Sequence, residues 1–132
     1  MDGYFNQLSW DTYQLWYGGV DHYDIYRSID GAPAINSLTS IAATDSTFRD
    51  SIINLYTTQG DFCYYIVAYE GTGDPYGFMD TSISNTVCVK QAPMIFIPNA
   101  FRPQPASFNP VFKPYGSFVN LKNYSFDIFN RW

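Results

Sequence analysis

The sequence predicts an all-β chain: an antiparallel sandwich followed by the start of a second, shorter β unit. Three observations lead there. Residues 4–90 break into alternating segments of four to nine residues, separated by Gly, Asp, Asn, Ser and Pro, which is the pattern of short paired strands. Aromatic residues make up 20% of the 132 residues, with 12 Tyr and 11 Phe, a composition that favours strands over helices. Runs of Ala, Leu, Glu and Lys that would build helices are absent.

The first strand is expected over Tyr4–Tyr13, with Leu8 and Trp10 on the core parity and Ser9 and Asp11 opposite. The second is His22–Ile29, with Tyr23 and Ile25 inward, and it closes at Asp30-Gly31, a pair suited to the positive φ of a tight hairpin. Pro33 limits pairing, so Ile35–Ala42 is an edge-type strand and Thr47–Ile53 a weaker one. Asp61–Tyr69 alternates most clearly, with Phe62, Tyr64, Ile66 and Ala68 on one face. After the turn-rich Glu70–Asp80 comes Ser82–Lys90, with Val87 and Val89 inward. Gln91-Ala92-Pro93 reads as a linker, which divides the chain into 1–91 and 92–132. In the second part Met94–Phe96 and Tyr124–Phe129 read as strands whose unpaired edges invite aggregation or disorder.

Charge and cysteine usage bound the function. Seven Lys and Arg against twelve Asp and Glu give a net charge of −5, which argues against nucleic acid because phosphate neutralisation needs a clustered basic face. No apolar run approaches the length of a membrane-spanning helix. Met1-Asp2-Gly3 does not begin a signal peptide, and the N-terminus is read as cut away. Cys63 and Cys88 both fall on the outward parity of strands expected to be antiparallel neighbours. Their thiols are therefore expected to form a disulfide, which closes a loop of about 25 residues, contributes about 3 kcal/mol, and implies an oxidising, extracellular setting.

Few residues carry the pattern of chemistry. Asp21-His22-Asp24 is the one metal-like or acid-base-like group. His22 and Asp24 share a strand face while Asp21 is expected to point elsewhere, so solvated loop residues are the preferred reading. With one His, two Cys and no acidic calcium loop, no metal is expected. A Gly-x-Ser-x-Gly elbow and a phosphate-binding glycine loop are both absent, so no catalysis and no cofactor are expected. Trp16 and Tyr17 in the first interstrand loop, and Tyr69 on an outward parity, are the candidate ligand contacts. Exposed rings there would stack on a glycan or grip a surface protein. Buried against neighbours, they would mark a spacer. Asp45-Ser46-Thr47 and Asp50-Ser51-Ile52 match a short bacterial O-glycosylation acceptor pattern.

Two resemblances extend this reading. Leu8-Ser9-Trp10, His22-Tyr23-Asp24-Ile25-Tyr26-Arg27-Ser28 and Tyr64-Tyr65-Ile66-Val67-Ala68 together resemble a fibronectin type III domain, an immunoglobulin-like sandwich, over most of residues 4–90. The resemblance implies a further strand before Tyr4, so the domain is expected to be clipped there. Phe62 stands where relatives often carry a buried Tyr. Met94-Ile95-Phe96-Ile97-Pro98-Asn99-Ala100-Phe101, then Val111-Phe112-Lys113-Pro114, then Tyr124-Ser125-Phe126-Asp127-Ile128-Phe129-Asn130-Arg131-Trp132 resemble the opening of a gliding-motility-associated C-terminal domain, the type B sorting module of type IX secretion. Between them, Arg102–Pro110 keeps Pro103 and Asn109 but lacks the Asp and Gly residues of that family's loop. The resemblance implies a fragment of a secreted, cell-surface protein with part of its export signal. Its partners would be neighbouring domains of the parent protein and, through a complete tail, the type IX machinery. A non-catalytic spacer or adhesion module is the leading reading. A carbohydrate-binding accessory module of a secreted polysaccharide-degrading enzyme is the alternative.

Overall fold

A computed structural model describes residues 4–102, 104 and 110–130. Met1, Pro103, Asn109, Arg131 and Trp132, named above, lie outside the described residues. The fold is all-β: β1 Phe5–Ser9, β2 Val20–Ile29, β3 Thr39–Ala42, β4 Thr47–Ser51, β5 Asp61–Glu70, β6 Thr81–Ile83, β7 Val87–Lys90, β8 Met94–Phe96 and β9 Tyr115–Ser117. One layer is the pair β1–β4. The other runs β3-β2-β5, with β6 and β7 both on the far side of β5. Every pairing is antiparallel.

Period-two alternation places the core. Leu8 of β1, Tyr23 and Ile25 of β2, and Phe62, Tyr64, Ile66 and Ala68 of β5 all turn inward and are buried, with Ile52 after β4 closing one end. The Asp30-Gly31 turn forms as expected. Both residues have positive φ, 51° and 80°, and Ala32 N–H donates to Ile29 O at 2.9 Å, the two-residue geometry that matches strand twist. The Asp30 carboxylate then accepts the N–H groups of Gln59 and Asp61 at 2.8 and 3.2 Å, fixing where β5 begins.

Several boundaries differ from expectation, each for a packing reason. The first strand stops at Ser9 because β4 offers no partner beyond Thr47. Past it, Tyr13 N–H donates to the Tyr23 hydroxyl at 3.1 Å, and the loop folds across the top of the core. Trp10 is only half-buried there, edge-on to Tyr23. Ile35 is 89% exposed and strand pairing begins only at Thr39. Ser82–Lys90 is two short strands, β6 and β7, and not one. Val87 and Val89 have the inward parity but remain 56% and 40% exposed, because the two-stranded layer opposite is too narrow to cover β7.

In the tail, Met94–Phe96 pairs with Tyr115–Ser117, a strand the alternation did not reveal. Tyr124–Phe129 forms no strand. Phe118 links this region to the sandwich. It is buried in the same core as Phe62, edge-on to both Tyr4 and Phe62 at ring-centroid distances of 5.3 and 6.2 Å. Its N–H donates to Tyr56 O at 2.8 Å. The composition change at residue 91/92 is therefore not a gap in packing.

Candidate functional site

β5 is the central strand, and it carries groups on both faces. On the outer face Cys63 lies directly opposite Cys88 of β7. The two form a disulfide with S–S 2.04 Å and Cα–Cα 4.0 Å, as the matched parity requires. Farther along, Tyr65 is opposite Tyr26 and Tyr69 opposite His22. These rings stack in pairs, at 4.8 Å with planes 1° apart and at 4.5 Å with planes 12° apart. Parallel planes at such distances mean overlapping faces, not rings lying side by side. Each pair therefore turns one face of each ring onto its partner. Between the pairs Val67 has an outward parity yet is only 8% exposed. The Tyr26 hydroxyl is held above the usual phenol range by desolvation, then by its hydrogen bond to Tyr69 and the nearby Tyr69 and Asp24 charges.

Asp21, His22 and Asp24 do converge. His22 Nδ1 is 2.6 Å from Asp21 Oδ2, and its Nε2 is 3.7 Å from Asp24 Oδ1. The expectation that Asp21 points elsewhere fails because the register shifts between Val20 and His22, and such an irregularity re-aims a side chain. Ser40 Oγ–H donates to Asp24 Oδ1. The order along this line is Ser–Asp–His, so the imidazole reaches the Asp24 carboxylate and not the Ser40 hydroxyl, unlike a nucleophile–imidazole–carboxylate triad. No group of three metal-ligating side chains occurs among the described residues.

The inner face holds a buried polar chain that sequence reasoning did not find. Arg27 Nη1–H donates to both Asp50 oxygens at 2.8 and 2.7 Å. The Tyr64 hydroxyl donates to Asp50 Oδ2 at 2.7 Å and accepts from Asn6 Nδ2 at 2.7 Å. Gln91 Nε2–H donates to Asn6 Oδ1 at 2.6 Å. Asn6, Asp50 and Tyr64 are 7%, 4% and 3% exposed. Burial pushes the Tyr64 phenol well above its usual range; the Asn6 donor opposes this, the Asp50 hydrogen bond and charge reinforce it, and Arg27 opposes it weakly. The signal available in the sequence was parity alone: Asn6, Asp50 and Arg27 share the inward face with Leu8, Phe48 and Ile25. Asp50 of the Asp50-Ser51-Ile52 pattern is consumed in this network, and Ile52 is fully buried.

Of the three residues expected to meet a ligand, Trp16 packs on Tyr13 at 4.2 Å and against the core. Tyr69 is half-buried on His22. Tyr17 is 82% exposed. Of the three, Tyr17 alone is exposed. The loop that carries Trp16 and Tyr17 is anchored by buried Glu70, which accepts from Gly18 N–H at 3.3 Å and Asp80 N–H at 3.1 Å. A Cβ on Gly18 would meet Gly71 O at 2.4 Å, so the two backbones cross where only glycine fits.

No family model, curated protein or solved structure matches this chain.

Proposed function

We propose that this chain is a non-catalytic spacer or adhesion module of a secreted, cell-surface protein. The Cys63–Cys88 bridge on the central strand carries the reading, since such bonds persist in oxidising compartments. The pairing order, with β1–β4 facing β3-β2-β5-β6/β7, supports a fibronectin type III arrangement. The resemblance of residues 94–132 to a type IX sorting domain supports export by that route. Non-catalytic action is supported by the use of the polar side chains: Arg27, Asp50, Tyr64, Asn6 and Glu70 are bound into internal ties, and the one imidazole has no hydroxyl to activate. Antibody raised to the chain should label intact, unpermeabilised cells of the source. Label confined to the interior overturns the reading.

The carbohydrate-binding alternative keeps one supporting observation, the open ring of Tyr17. Affinity electrophoresis against a polysaccharide panel distinguishes the two. Unretarded migration and no glycan turnover are the expected results, whereas retardation lost in Tyr17→Ala favours the glycan-binding module.

A further inference from the structure

The end of the sandwich at which β5 finishes carries an exposed apolar surface that the core does not use. Leu15 and Tyr17 of the β1–β2 loop are 84% and 82% exposed, and Tyr76, Phe78 and Met79 of the β5–β6 loop are 74%, 61% and 70% exposed. The two loops touch. Gly71 N–H donates to Gly19 O at 3.0 Å, and a Cβ on Gly18 would meet Asp74 N at 3.0 Å. Each loop is also fixed internally. Gly19 N–H donates to Trp16 O and Gly77 N–H to Asp74 O, both at 3.1 Å, and the Asp74 carboxylate accepts Tyr76 N–H at 2.6 Å. Pro75 occupies the second position of the Asp74–Gly77 turn, where its locked φ fits. The rings therefore stand on backbone that is already ordered. A partner meets rigid aromatic area without the cost of ordering the loops, which is the condition under which such contacts yield affinity.

Charge selects the partner. Asp11, Asp21 and Asp80 are exposed on or beside these loops, and none of the seven Lys and Arg lies in residues 10–21 or 70–81. His22, the nearest side chain able to carry positive charge, is already against Asp21 and stacked on Tyr69. An anionic lipid surface is repelled by such a rim, and a neutral polysaccharide gains nothing from it. A Lys- or Arg-bearing protein surface is complementary to it, and guanidinium groups also stack on ring faces. The tail is anchored elsewhere: Phe118 packs with Tyr4, Phe62 and Gly60 at the opposite end of the sandwich, and the ten residues of β5 separate that end from Glu70. We propose that the β1–β2 and β5–β6 loops form a docking surface for a protein segment that combines Arg or Lys with apolar side chains. The inference rests on the adhesion reading above and supplies its contact surface.

A random peptide library displayed on phage and selected on the full chain tests this, with the enriched peptides then synthesised and titrated. Tyr17→Ala/Phe78→Ala alters two exposed rings outside the core, and Asp11→Asn/Asp80→Asn removes two exposed charges, so both variants keep the fold. Enriched sequences should set Arg or Lys beside apolar residues. Their binding should be at least about tenfold weaker to Tyr17→Ala/Phe78→Ala, and weaker in about 0.5 M salt or with Asp11→Asn/Asp80→Asn. No enrichment, enriched sequences without basic residues, or binding that Tyr17→Ala/Phe78→Ala leaves unchanged overturns the proposal. Retardation by a polysaccharide, or sedimentation with phosphatidylcholine vesicles, that the same variant abolishes also overturns it, by assigning the loops to another class of ligand. Labelling of intact cells without peptide enrichment removes this contact surface and leaves the surface-module reading standing.

Discussion

Tyr64 joins the two layers through one hydroxyl, which donates to Asp50 of β4 and accepts from Asn6 of β1. Its phenol titrates above the normal range because the buried phenolate is unfavourable. The folded-state value therefore exceeds the unfolded one. Stability from this group is complete below about pH 10, the unfolded value, and falls as pH rises toward the folded value. Urea unfolding of the native protein should thus lose stability above about pH 10, and Tyr64→Phe should lessen that slope. At neutral pH the same variant should cost about 1–3 kcal/mol, because Asp50 and Asn6 each lose a buried partner. The disulfide makes a separate contribution from the outer face of β5. Cys63→Ser/Cys88→Ser should lower the unfolding free energy by about 3 kcal/mol, and the variant should not respond to reductant. Equal stability with and without reductant in the unmodified protein would contradict this.

Among the elements, β5 is the one most legible in the sequence, because it is paired on both sides and its inward row is buried, so its alternation holds along the strand except at Val67. The Asp30-Gly31 hairpin was legible from turn chemistry, and the Cys63–Cys88 pairing from parity on neighbouring strands. What was not legible depends on distant elements. Exposure of Val87 and Val89 follows from the width of the opposite layer, and the position of Asp21 from a register shift. Gly60 shows the same dependence: its φ is +83°, and a Cβ there would meet Phe118 Cβ at 2.9 Å. Phe118 in turn has φ 56°, which bulky residues adopt only when packing enforces it. Nothing in either local sequence announces the contact, since 58 positions separate them. Phe118→Ala should cost about 3–5 kcal/mol and free the β8–β9 hairpin. Limited proteolysis should then cut between residues 93 and 118 well before the sandwich. Cutting as slow as in the unmodified protein would show that the hairpin is held by something else.

For the molecule as a whole, the question is whether the sandwich and the segment after residue 92 are one unit of stability or two. The sequence suggested a boundary, from Gln91-Ala92-Pro93 and the change of pattern that follows. The contacts point the other way. Phe118 shares a core with Phe62 and packs edge-on to Tyr4, Tyr4 Oη–H donates to Met94 Sδ at 2.9 Å, and Gln91 donates to Asn6. Against this, β8 and β9 pair only with each other, and Met94, Ile95 and Phe96 are each more than half exposed. A two-stranded sheet has little stability of its own in water, so it survives by leaning on the sandwich. Loss of the sandwich core should therefore remove the hairpin at the same time. Calorimetry should show a single transition, with near-ultraviolet circular dichroism melting in step with it. A second transition that persists after Phe118→Ala would identify the tail as an independent folding unit. A single transition that Phe118→Ala moves to lower temperature would show that the buried ring joins the two parts.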